Sequence, residues 1–204
     1  MSETEKRHEA MKKIRDELSN FRESPLYNFR VKNKYFPVVG EGSHLAKIMF
    51  IGEAPGENEA IQGRPFCGRS GAVLDELLKS AGINRQDVYI TNIVKDRPPE
   101  NRDPTTEEKA LYAPFLDRQI EIIKPKVVAT LGRHSMEYIM NHFSLGDRLE
   151  TISRAHGRIF EAAASYGKIS IVALYHPAVA VYDASQKATL IKDFKILTAK
   201  IFLC

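Results

Sequence analysis

Short, unbroken apolar runs alternate along this chain with longer segments whose apolar residues recur at helical spacing. The runs cover residues 47–52, 88–93, 126–131 and 169–175, are rich in Ile and Val, and are bounded by Gly or Pro. Strands buried on both faces read this way. Between them, residues 71–81, 105–123 and 133–142 carry a helical period, and residues 186–202 predict a closing helix. Residues 3–20 predict a charged amphipathic helix, with Ala10, Met11, Ile14 and Leu18 on one face. Residues 21–43 read as irregular, with aromatic and basic side chains interleaved. Pro104-Thr105-Thr106-Glu107-Glu108 has helix-start chemistry, a Thr cap followed by acids in the first turn. Alternating strands and helices predict a parallel sheet covered on both faces. The expected class is α/β: a three-layer α/β/α sandwich around a central four-stranded parallel sheet, with residues 1–204 forming one domain.

Composition narrows this picture only a little. At 43% hydrophobic and 27% charged residues the chain has the balance of a folded globular protein. Thirty Lys and Arg against 26 Asp and Glu leave a net charge of +4, which permits a polyanionic partner without requiring one. Cys67 and Cys204 lie far apart and form neither a metal-type spacing nor a disulfide framework. No apolar leader and no run of membrane-spanning length occur, so the expectation is a cytoplasmic protein without membrane contact; a monomer is expected.

The loops after the strands carry the chemistry. The first reads Gly52-Glu53-Ala54-Pro55-Gly56-Glu57-Asn58-Glu59 and continues to Gly63-Arg64-Pro65-Phe66-Cys67-Gly68. It lacks Gly-Lys-Ser/Thr, so it is not a nucleotide-binding P-loop. The second starts at Thr91-Asn92 and runs through Lys95-Asp96-Arg97-Pro98-Pro99-Glu100-Asn101-Arg102-Asp103-Pro104. The last is Tyr175-His176-Pro177-Ala178. Loops at the carboxyl ends of parallel strands form the ligand crevice of open α/β sheets. An Asn, a His, carboxylates and a Phe are therefore expected in one cleft.

Taken in order, these motifs resemble those of the uracil-DNA glycosylases of the iron–sulfur class, family four. Leu116-Asp117-Arg118-Gln119-Ile120, Lys124-Pro125-Lys126 and Leu131-Gly132-Arg133 extend the resemblance, which covers residues 24 to the C-terminus. It implies a monofunctional DNA-repair glycosylase that flips uracil out of DNA and hydrolyses its N-glycosidic bond, leaving an abasic site. Phe66 would stack on the flipped base, the other reading being an ordinary core residue. Asn92 would offer a donor and an acceptor to the uracil edge, or else cap a strand end. His176 resembles the family's catalytic His, which hydrogen-bonds a uracil carbonyl as charge builds. Glu59 and Glu53 are the candidate acids for the water, the cation or the pocket wall. The competing reading for either is a carboxylate that pins the loop by accepting backbone N–H bonds. Ala54 stands where the broader superfamily has a water-orienting Asp, and Ala54 and Gly56 complete the uracil-binding set. Ser70, Lys95, Arg97, Asn101, Arg102 and Lys187 are the candidate DNA contacts, each also readable as a solvated surface residue. Residues 179–182 read either as a wedge that fills the vacated base position or as an ordinary helix approach. Lys95 raises the option of a Schiff base and lyase activity, whereas the resemblance implies single-step hydrolysis.

The family's cluster-ligating cysteines fall at Phe21, Ser24, Asp96 and Tyr112, and none of these is cysteine. No cofactor and no metal are therefore expected, with Phe21 and Tyr112 packing together instead. Ala60 replaces a usual acid, and no Arg follows shortly after Pro177. These departures leave room for other deaminated bases, hypoxanthine or xanthine, or for a slow-turnover protein that binds uracil-containing DNA.

Overall fold

The computed structural model describes the backbone of residues 1–201 and the side chains of residues 1–198. Its strands are β1 (Glu41–Gly42), β2 (Ile48–Gly52), β3 (Tyr89–Asn92), β4 (Val127–Leu131), β5 (Ile159–Ala164) and β6 (Gly167–Leu174). They form one sheet in the order β1-β3-β2-β4-β6-β5. The central four, β3, β2, β4 and β6, run parallel, with Phe50 facing Ile90 on one side and Ala129 on the other. These are the four apolar runs of the sequence. The expected four-stranded sheet is corrected to six strands among the described residues, because antiparallel β1 and β5 extend its two edges. The sequence hides β5 for a physical reason. Ile-Phe-Glu-Ala-Ala-Ala buries only Phe160, and its pairing comes from a tight hairpin with β6 rather than from a two-faced core.

The helices are α1 (Glu3–Ser19), α2 (Tyr27–Lys32), α3 (Glu57–Gln62), α4 (Arg69–Ser80), α5 (Thr106–Ile123), α6 (Arg133–His142), α7 (Ile152–Ala155), α8 (Ala178–Tyr182) and α9 (Lys187–Ile201). Strand side chains alternate between two cores. Met49 and Ile51 of β2 pack with residues of α1, α5 and α6. Ile48 and Phe50 pack on the opposite face with α4 and α9, where Phe50 stacks on Phe194 at 5.8 Å. The result is the expected three layers. Thr105 caps α5 as its sequence predicts: its hydroxyl accepts from Glu108 N–H, and the Glu108 carboxylate accepts from Thr105 N–H. The segment 21–43 is not irregular throughout, since α2 and β1 lie within it. Residue 202 of the predicted last helix, and Cys204, lie outside the described residues.

Strand order places the site. The two sheet neighbours of β2 are β3 and β4. The chain therefore leaves β2 toward one side of the sheet and later returns on the other. A crevice opens where such loops part at the carboxyl ends of the strands.

Candidate active site

A cleft of about 280 Å³ lies at that point, lined by Glu53, Ala54, Pro55, Gly56, Glu59 and Phe66 together with Asn92, Asn101 and His176. Three separate loops thus bring the expected residues together. Asn92 closes β3 and is buried, its Oδ1 without a hydrogen-bond partner among the described residues. A buried amide oxygen without a hydrogen bond is costly, and such an atom on a cleft wall is set up for a ligand.

Phe66 sits in the left-handed region, φ 49°, which an aromatic residue rarely adopts. Two glycines make room for it. A Cβ on Gly71 would stand 1.9 Å from the Phe66 carbonyl oxygen, so only glycine lets the start of α4 pass under that backbone. A Cβ on Gly52 would stand 2.3 Å from Asn92 Oδ1 and 2.8 Å from Phe66 Cζ. The Phe66 ring lies 5.6 Å from the His176 ring at an interplanar angle of 34°.

His176 Nδ1 accepts a hydrogen bond from Ala178 N–H at 3.1 Å. A neutral ring held in this way carries its proton on Nε2 and is a donor there. Burial lowers its pKa from 6.5 to about 4, so the ring is neutral at physiological pH.

The two acids differ. Glu59 Oε1 accepts from Cys67 N–H at 3.0 Å and Gly68 N–H at 2.9 Å, so it ties α3 to the Phe66 loop. Glu53 Oε1 is buried without a hydrogen bond among the described residues, and burial pushes its carboxyl pKa up. Its neighbour is His134, whose Nε2 lies 3.4 Å from Glu53 Oε1 and 3.1 Å from Asp103 Oδ2. Arg133 flanks the group, with Nη2 3.0 Å from Asp103 Oδ2 and Nε 3.0 Å from His134 Nε2. Sequence reasoning missed Asp103 and His134. The signal was available: His134 opens the helix that follows β4, the one central strand whose loop had been given no role.

The expected DNA contacts fare unequally. Ser70 and Asn101 line the cleft. Asn101 accepts from Arg97 Nε at 2.8 Å. Arg97 also holds Tyr35 and Glu57, and only 10% of its side chain is exposed. Arg102 lines the cleft but grips Glu108 with two nitrogens, at 2.8 and 2.6 Å. Lys187 pairs with Glu76. Lys95 is the correction. It is wholly buried, and its Nζ donates to Thr91 Oγ1, Asn92 O and Gln119 Oε1 at 2.6–2.7 Å. With no exposed surface and its Nζ turned to three internal acceptors, it is not placed for a DNA contact or for attack as a Schiff-base nucleophile. Ala60 is also fully buried and does not line the cleft.

The four positions matched to cluster cysteines converge in space. The Tyr112 hydroxyl donates to Asp96 Oδ2 at 2.6 Å and lies 2.8 Å from Ser24 Oγ. The Phe21 ring meets Tyr112 edge-on at 5.4 Å. Arg30 Nη1 contacts both Asp96 oxygens at 3.0 Å and also donates to Leu18 O, while Nη2 donates to Ser19 O. A carboxylate already held by a guanidinium, two hydroxyls and a phenyl ring do not fit an iron–sulfur cluster, which takes thiolates.

Comparison with known proteins agrees with this geometry. The model of the uracil DNA glycosylase superfamily matches residues 39–196. The chain is 42% identical to a type-4 uracil-DNA glycosylase of Sulfurisphaera tokodaii, over 92% of this chain and 83% of that protein. It is 41% identical to one of Archaeoglobus fulgidus, over 92% and 91%. A Thermotoga maritima type-4 enzyme is 37% identical over 97% and 96%. With most of its length matched, and with the motif residues gathered around one cleft, this chain belongs to the uracil DNA glycosylase superfamily.

Proposed function

We propose that this protein removes uracil from DNA by hydrolysing the N-glycosidic bond, leaving an abasic site. The observation that carries the reading is the buried Asn92 carboxamide, unpartnered at Oδ1 and facing the cleft beside Phe66 and His176. Its oxygen accepts from uracil N3–H and its amide donates to O4. Cytosine reverses that pattern and leaves both Asn92 groups opposed.

In the reaction the bond from the sugar C1′ to uracil N1 breaks, its electron pair goes to the base, and water adds to C1′ with loss of a proton. His176, neutral and donating from Nε2, stabilises the negative charge that builds on a uracil carbonyl oxygen. Phe66 gives the flipped base its stacking face. Glu53, which lines the cleft, faces the cationic sugar and orients the water. Glu59 serves by holding the Phe66 loop, and Ala54 and Gly56 shape the wall between the two acids. Ser70 at the uncapped start of α4, with Asn101 and Arg102, meets the phosphates flanking the lesion. Residues 179–182 form the wedge, ending in Tyr182, which is 87% exposed. One chain supplies the whole site, so the active unit is a monomer.

A wider base range drew its argument from Ala60, and Ala60 is off the cleft, so uracil is the favoured substrate. The test is an oligonucleotide panel carrying uracil, hypoxanthine or xanthine, incubated with protein and treated with alkali. Strand cleavage at uracil supports the reading. A denaturation-resistant gel shift without cleavage favours slow-turnover binding instead.

A further inference from the structure

We propose that Lys95 is a positioning residue for base excision: from off the cleft it fixes the end of β3, and with it the Asn92 carboxamide that reads the base. The inference rests on the reading of Asn92 given above. Asn92 Oδ1 has no hydrogen-bond partner among the described residues, so its place is set by packing and by the backbone that carries it. Lys95 acts on that backbone: its Nζ donates to the Asn92 carbonyl at 2.6 Å. β1 pairs with Tyr89 and Ile90 and does not reach Asn92, so a side chain from the following loop turns back to hold this peptide.

Each group around the Lys95 amine has a fixed hydrogen-bond sense. The Thr91 hydroxyl donates its one proton to Val39 O at 2.7 Å, which leaves its oxygen to accept from Lys95 at 2.7 Å. Gln119 Nε2 donates to Val39 O at 2.8 Å, which turns Gln119 Oε1 toward Lys95 at 2.6 Å. The Asn92 carbonyl can only accept. Three acceptors take three N–H groups, and only the ammonium form of lysine supplies them.

None of the three partners is a carboxylate, and Lys95 is wholly buried. Burial pulls its pKa well below the usual lysine range, and the Asp117 charge pulls it back up. A methionine of similar length would fill the same space without desolvating a charge. What the ammonium adds is a tie between three parts of the chain: the end of β3, α5 through Gln119, and the segment before β1 through Val39. Thr91 and Gln119 serve it from the side away from the cleft, and neither they nor Lys95 line the cleft. A reacting group displaced by about 1 Å loses about 10²-fold in rate, so a tie at the peptide of the base reader bears directly on excision.

The experiment measures single-turnover excision from a uracil-containing oligonucleotide for the wild type, K95M, N92A and the double variant. It also measures the affinity of the wild type and K95M for the same oligonucleotide with an abasic-site analogue in place of the uracil nucleotide, which offers Asn92 no base to read. K95M should slow excision by about 10–10²-fold, bind the analogue as the wild type does, and slow N92A no further, because the two residues act as one unit. If K95M excises at the wild-type rate, slows N92A by the same factor as it slows the wild type, or weakens analogue binding as much as it slows excision, the inference is overturned and the reading of Asn92 stands. If N92A excises at the wild-type rate, the reading itself fails and takes the inference with it. Where K95M is poorly folded, T91V removes one of the three acceptors and carries the same test. A slowing that disappears in the N92A background supports the inference; one that persists there, or no slowing at all, overturns it.

Discussion

At the scale of single residues, the site works through polarity withheld from water. His176 is neutral because burial disfavours its charged form, and Ala178 N–H fixes which nitrogen carries the proton. Replacing His176 by Ala should lower the single-turnover excision rate by about 10²–10³-fold, the cost of losing one donor aimed at developing charge. Its titration is open to direct measurement. The folded ring should titrate near 4 by NMR, against 6.5 when unfolded. Between those values the unfolded chain takes up a proton that the folded chain refuses. Stability contributed by the neutral ring is thus intact above 6.5 and is lost as pH falls toward 4. Phe66→Ala should weaken capture of the flipped base by about 1–3 kcal/mol, read as a rise in the half-saturating DNA concentration. Much of this was legible in the chain, because Gly52-Glu53, Asn92 and His176 are chemically unusual residues at the ends of apolar runs. His134 and Asp103 were not. Neither stands out in the sequence, and their meaning arises only when β2, β3 and β4 lie side by side.

At the scale of elements, two polar ties hold the site loops. Glu59 fastens α3 to Cys67 and Gly68, and the Arg30–Asp96–Tyr112–Ser24 network fastens the β3 loop to α2, α5 and the end of α1. The network is buried: the Asp96 side chain is 0% exposed and that of Arg30 5%. Arg30→Met would leave an uncompensated buried carboxylate and should cost about 3–5 kcal/mol in urea unfolding. Tyr112→Phe removes one hydroxyl and should cost about 1–3 kcal/mol while leaving the excision rate per folded molecule unchanged. Ser24, Asp96 and Tyr112 of this network, with Phe21 beside it, stand out in the sequence only as the positions matched to cluster cysteines, and of these only Phe21 with Tyr112 is expected to pack. Arg30 was invisible there, since nothing in Tyr-Asn-Phe-Arg-Val-Lys announces a buried guanidinium. Elements that open on a capping box, α1 at Ser2 and α5 at Thr105, were legible almost to the residue. β5 and α2 were not, because tertiary packing rather than local pattern supports them.

At the scale of the whole molecule, a superfamily sheet carries protein side chains, Ser24, Asp96 and Tyr112 with Phe21, at the positions matched to cluster cysteines. Purified protein should carry no stoichiometric iron and show no visible absorbance, in aerobic or anaerobic preparations. The exposed Tyr182 at the end of α8 has a role only where a base stack must be filled, so Tyr182→Ala should slow excision from duplex DNA more than from a single strand. The central claim is that the cleft reads and releases uracil through Asn92. Its most direct test compares wild-type protein with Asn92→Ala on one oligonucleotide bearing a single uracil, with alkaline cleavage scored under single turnover. The account predicts strand cleavage at the uracil by the wild type and a rate lower by at least about 10²-fold for the variant. An intact strand with the wild-type protein on U·G, U·A and single-stranded substrates would contradict it.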